Sequence, residues 1–316
     1  MWGTSGTGMG RARASVGLAA LAIVPVLIAS VLVVPVGLLV GVGPVLTVLA
    51  AVVVGLGVSA AIGPVLVGRR IERLPDADLE DRPAAFIEDR VAALSADLGI
   101  DAPAVTVVRG DAANVAVTDG YRGARLVVST RLLSLPAADR DAALRHALVR
   151  VRSRDAAVTT ALLPAVVVVE TLALLATLLV GRRNERTASD RRVNRIHGYE
   201  PERERIPAPA YTAAGVLLWL LLVPVWIPAV VGDRLYVAER RRAADASVAR
   251  LGPDERTGLA NAVEFARDAA GAADWPPLLD RLSLVSMADE ETGRVRGTSR
   301  QETRVRLARL RSKRSL

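Results

Sequence analysis

The sequence predicts a mainly α integral membrane protein, with about four transmembrane helices plus a small extramembrane α+β region. Three observations carry that prediction. Residues 15–67 contain no charged side chain, and two later runs, about 157–180 and 211–231, are nearly as apolar. The composition is 51% hydrophobic but only 3% aromatic, with the apolar residues gathered in blocks. Each block reaches the roughly 20 apolar residues that a bilayer-crossing helix needs.

Taken in order, residues 1–14 are rich in Gly, Ser and Thr, carry Arg11 and Arg13, and read as a disordered tail. The uncharged run is too long for one span and divides at Gly41-Val42-Gly43-Pro44, which predicts a helical hairpin over 15–40 and 44–68. Its length also argues against a cleaved signal core. Residues 69–156 read as a small water-exposed domain. Arg82 to Leu98 forms an amphipathic helix closed by Gly99, and the β-branched runs at Val105–Val108, Asn114–Val117 and Ala124–Ser129 read as strands. Leu135-Pro136 then leads into a helix through His146.

Spans three and four come next, with Trp219 and Trp226 in the fourth and Tyr211 and Tyr236 near its ends. Arg11 and Arg13 before the first span, and Arg69-Arg70 after the second, place both termini and the domain on the cytoplasmic side of the cell membrane. The loop 181–210 opposes this, because it holds eight arginines against five acids; a third and fourth span that do not fully cross would remove the conflict. The last part, 232–316, opens with helices over 233–251 and 254–270. It ends in a basic tail, where Val305, Leu307 and Leu310 suit an amphipathic helix lying on lipid.

Composition excludes several chemistries. There is no cysteine, so disulfides, thiolate catalysis and Cys-ligated metals are absent. There are two histidines, His146 and His197, too few for a His-rich metal site. The net charge of +8 rests on 41 basic residues, of which Lys313 is the only lysine. Nucleic-acid binding is a weak reading of that charge, since no aromatics interleave with the arginines.

The helix from Ala142 to Asp155 carries the most chemistry. A zinc peptidase of the His-Glu-x-x-His kind needs two imidazoles one helical turn apart and a Glu between them as general base. Here His146 stands first, Ala147 replaces the Glu and Arg150 replaces the second His. A guanidinium has no lone pair to offer a metal. Glu170 is the other notable residue. It interrupts the valine run of span three, where an ionisable group is by default a functional candidate; it should face other helices, either protonated or bonded to a hydroxyl such as Thr47, Ser59 or Thr212, and the favoured reading is a neutral carboxylic acid that ties helices together.

Several ordered blocks resemble the HtpX-like membrane zinc metallopeptidases, a family related to the CAAX prenyl endopeptidases. They are Leu98-Gly99-Ile100 with Pro103 and Val105-Thr106-Val107, Asn114-Val115-Ala116, Leu126 to Leu133, Leu144 to Asp155, and Arg240 to Asp245. A weaker block runs from Thr298 to Leu310. The resemblance implies a zincin-like peptidase domain over 69–156 and 232–316, joined to the four spans. It also implies that the third zinc ligand falls four residues before Asp245, where this chain has Arg241. Of three ligands and one base, His146 alone remains.

The resemblance therefore implies a pseudopeptidase with a binding or regulatory role, needing no cofactor and holding no metal. Its partners would be membrane lipids, an active membrane peptidase or membrane-protein clients. His146 reads either as a packed core residue, beside Leu144, Leu148 and Val151, or with Arg150 and Arg241 as the lining of an anion-binding groove. One alternative is an active zinc endopeptidase in membrane-protein quality control with a rearranged site. Another is a membrane-anchored binder of anionic lipid or nucleic acid.

Overall fold

The computed structural model describes residues 8–75, 82–181, 208–269, 275–286 and 300–312. Four helices are long and apolar enough to cross a membrane: α1 (Gly8–Val40), α2 (Pro44–Ile71), α5 (Asp155–Gly181) and α6 (Ala208–Gly232). The extramembrane elements are α3 (Arg82–Leu98), β1 (Ala104–Val108), β2 (Val115–Gly120), β3 (Gly123–Ser129), α4 (Ala137–Arg152), α7 (Ala238–Ala249), α8 (Pro253–Asp268) and α9 (Arg300–Arg311). The break between α1 and α2 falls at the Gly-Pro segment, with Gly41 at a φ of 74° and Pro44 opening the second helix.

The four long helices pack α1 on α2 and α6, α2 on α5, and α5 on α6. Close approach depends on glycine. A Cβ at Gly55 would lie 2.5 Å from the Pro25 carbonyl oxygen of α1, and a Cβ at Gly63 would collide with the Thr160 carbonyl of α5. Ser59 adds a hydrogen bond from its hydroxyl to the Ala161 carbonyl at 2.7 Å. Small residues and hydroxyls are what helices use to associate where lipid competes for apolar surface.

The sheet runs β1-β3-β2, with β1 parallel and β2 antiparallel to β3. Period-2 alternation sends its two faces to two cores. Val115, Val117, Leu126 and Val128 meet Leu94 of α3, Leu144 and Leu148 of α4, and Leu259 and Val263 of α8. Ala116 and Val127 face the other way, onto Val67 and Ile71 of α2, Leu163 of α5, and Trp275, Leu279 and Leu282. A sheet buried on both faces reads as a continuous apolar run, as the buried stretches Val115–Val117 and Leu126–Val128 do. This doubly buried sheet joins the domain to the membrane bundle.

Two sequence expectations change. Residues 8–14, expected as disordered tail, form the first turns of α1, and Arg13 approaches Glu239 of α7 at 3.9 Å. Residues 1–7, the arginine-rich loop at 182–207 and His197 lie outside the described residues. The C-terminal helix is not a lipid-facing surface helix either. Leu307 and Leu310 are buried in the core beneath α8, and of the three apolar positions only Val305 is exposed. A tail with two leucines one helical turn apart satisfies a protein groove as well as a bilayer, and here the groove takes it.

Candidate functional site

Helical spacing brings the motif positions together. His146 and Arg150 lie four apart on one face of α4, and Arg241 and Asp245 lie four apart on one face of α7, which packs against it. Between α6 and α7 the helix runs through a π turn, Asp233–Val237. The extra residue of such a turn rotates the downstream helix by about 100°. His146, Arg150 and Arg241 are 1%, 2% and 3% exposed, so the site is interior. Ala147 is 3% exposed and belongs to the apolar core, where a zincin would hold its general base.

Each guanidinium is held by specific acceptors. Arg150 donates through Nε to Asp155 Oδ2 at 2.8 Å, and through its terminal nitrogens to the carbonyls of Leu282 at 2.8 Å and Arg281 at 3.0 Å. Arg241 donates to the carbonyl of Asp280. Arg306, from α9, forms a two-pronged pair with Asp245, Nε to Oδ2 at 2.8 Å and Nη2 to Oδ1 at 2.7 Å, and reaches the Leu284 carbonyl at 2.6 Å. The same Nη2 is 3.4 Å from His146 Nε2, which is itself 3.3 Å from Asp245 Oδ1.

A guanidinium nitrogen thus occupies the place where a cation shared by His146 and Asp245 would sit. Residues 280–284, the end of a 3-10 turn over Pro277–Leu282 and the segment after it, also cross the site, with the carbonyls of 280, 281, 282 and 284 on arginines. The segment is tied to the edge of β2, with the Leu284 amide on the Val115 carbonyl at 2.8 Å and Asn114 Nδ2 on the Val285 carbonyl at 2.7 Å. Asp155 opens α5, where a helix N-terminus favours a carboxylate.

Burial presses the His146 pKa down to about 4, with Asp245 opposing and the positive charges of Arg306 and Arg150 adding to the fall. The ring is therefore neutral near pH 7. A catalytic zinc needs three lone-pair donors and an open position. The residues present do not fit one: among the described residues no group of three His, Cys, Asp or Glu side chains stands together, and guanidiniums fill the surroundings.

The anion-binding residues read from the sequence, His146, Arg150 and Arg241, do converge, but Arg150 and Arg241 already hold carbonyls and a carboxylate. Sequence reading did not single out Arg306 or the carbonyls of 280–284. Its one signal was the weak family resemblance between Thr298 and Leu310, which contains Arg306.

Glu170 has a partner other than the hydroxyls expected. Arg281 donates to Glu170 Oε1 at 2.7 Å and to Asp233 Oδ1 at 2.6 Å. Burial acts to lower the Arg281 pKa, but the two carboxylates outweigh it and hold the group above its ordinary value. Val167, one turn before Glu170, packs with Trp275 and Leu279, so residues 275–282 lie against this part of α5.

No family model, curated protein or solved structure matches the chain.

Proposed function

We propose that this protein is a membrane-embedded, catalytically silent homologue of the HtpX-like zinc metallopeptidases, with a binding or regulatory role towards an active membrane peptidase or membrane-protein clients. One observation carries the reading. The positions that the resemblance assigns to metal ligands and base converge on a single buried site, and that site holds Arg150, Arg241, Arg306 and a buried Ala147 in place of zinc ligands and a general base. Peptide hydrolysis by this family's chemistry needs a water of lowered pKa and a group to take its proton. His146 alone, neutral and bonded to Asp245 or Arg306, supplies neither.

Residues 280–284 reinforce the reading, because the chain's own backbone lies against the arginines and the β2 edge. The test is metal analysis and chelator-sensitive casein cleavage with the detergent-purified full chain. Zinc well below one equivalent and no cleavage are expected. Stoichiometric, tightly held zinc with cleavage would establish the rearranged active peptidase instead.

A further inference from the structure

We propose that the cleft between the end of α2 and the β2–β3 hairpin binds the headgroup of an anionic phospholipid from the surrounding bilayer. The hairpin turns on two residues, Tyr121 and Arg122, between the paired Gly120 and Gly123, and Gly123 takes a φ of 92° that a side chain would resist. This tight turn carries Tyr121 to α2, where its hydroxyl donates to the Ala61 carbonyl at 2.8 Å while the residue stays 72% exposed. Ala61 belongs to a stretch of α2 whose side chains Val58, Ile62 and Val65 are exposed by 43–51%. An exposed tyrosine bonded to an apolar helix beside lipid-facing valines matches the headgroup level of a bilayer, where tyrosines gather.

The cleft behind the hairpin has a volume of about 550 Å³. The α2 side is apolar at Pro64, Val65 and Val67 and ends in Arg69 and Glu72, and the hairpin side carries Arg122 and Arg125 with Asp119. Among the described residues, none of these three arginines forms an ion pair. A free inorganic anion has no use for the apolar wall, and an alkyl chain has none for the guanidiniums. An anionic phospholipid uses both, its phosphate on the arginines and its chains along Ile62 and Val65. Juxtamembrane arginines add to the affinity for anionic headgroups, and the attraction fades within a Debye length. Neither His146 nor zinc takes part, so this cleft and the peptidase reading stand or fall separately.

Native mass spectrometry of the full chain released from detergent, with phosphatidylglycerol or phosphatidylcholine of the same chains added, tests it. Retention of one phosphatidylglycerol by about tenfold over phosphatidylcholine is expected, the discrimination that loss of a few charge contacts would remove. In the doubly substituted Arg122→Gln, Arg125→Gln chain the preference should drop at least about fivefold, while Arg11→Gln, Arg13→Gln should keep it. Arg122 is exposed and Arg125 only half-buried, so the fold should survive, which unchanged thermal unfolding would verify. Equal retention of the two lipids overturns the proposal, as does an unchanged preference in the Arg122→Gln, Arg125→Gln chain. Displacement of the lipid by millimolar inorganic phosphate also overturns it, because the cleft would then be a phosphate site indifferent to lipid.

Discussion

Two buried charge clusters sit side by side in this protein and are built on opposite plans. Around His146, three guanidiniums, Arg150, Arg241 and Arg306, draw on main-chain carbonyls of residues 280, 281, 282 and 284 as well as on Asp155 and Asp245. Between α5 and the π turn that follows α6, one guanidinium, Arg281, meets two carboxylates, Glu170 and Asp233. The first is rich in cations and leans on backbone. The second is rich in anions, with two carboxylates on one guanidinium. They share one residue, since the Arg281 carbonyl faces Arg150 while its side chain faces the spans. A carbonyl survives every substitution of its own side chain, so the acceptors that residues 280, 281, 282 and 284 give the first cluster do not depend on which side chains stand there.

The largest effects should come from removing a guanidinium. Arg281→Leu strands the buried Asp233 and the half-buried Glu170, and Arg150→Leu leaves two carbonyls without this donor and Asp155 with Arg240, at 3.8 Å, as its ion-pair partner. Breaking a buried pair from one side costs about 3–5 kcal/mol. Thermal unfolding in detergent should show both variants severely destabilised; a mild Arg281→Leu would show that the second cluster is hydrated and the comparison false.

Acid comes next. The folded pKa of His146 near 4 lies below the ordinary value of 6.5, so the unfolded chain binds more protons between those limits. The neutral ring's contribution is complete above about pH 6.5 and is lost as pH falls through about 4, at most about 3 kcal/mol. A His146→Gln chain should lose that part of the pH dependence of the unfolding midpoint; an identical profile in the two proteins would move the titration elsewhere.

Glu170→Gln should cost about 1 kcal/mol or less, because Asp233 still neutralises Arg281 and the amide oxygen still accepts its hydrogen bond. Unfolding of Glu170→Gln near the wild-type midpoint, beside a collapsed Arg281→Leu, is the sharpest form of the comparison. The smallest effect concerns Arg154, which joins α4 to α5 at a φ of 55°. Glycine there relieves about 1 kcal/mol of left-handed strain, partly offset by greater freedom in the unfolded chain, so Arg154→Gly should raise the unfolding midpoint slightly or leave it unchanged.

Much of the fold was legible in the residues. The four apolar runs, the break at Gly43-Pro44, the helix over Arg82–Leu98 and the three strands come from hydrophobic length, period and turn chemistry. Those are local signals, carried by neighbours in sequence. Spacing of four residues likewise announced that His146 shares a face with Arg150, and Arg241 with Asp245. The tail was misread because Leu307 and Leu310 carry the same pattern whether the partner is lipid or protein. Glu170 was given hydroxyl partners within the spans because its actual partner, Arg281, lies 111 residues away in a segment with no motif.

The sequence by itself determined that this is a mainly helical protein with four segments apolar enough to cross a membrane, and that His146 is followed by Ala147 and Arg150, since hydrophobic length and side-chain chemistry belong to residue type and need no coordinates. Only the tertiary structure decided what surrounds His146. Arg306 reaches Asp245 across 61 positions and His146 across 160, and the carbonyls that hold Arg150 lie 131 and 132 residues away. Contacts at that separation leave no periodic trace along the chain. They are set by how α4, α7 and α9 stack, and a main-chain acceptor, being common to every residue, carries no signature in the sequence at all.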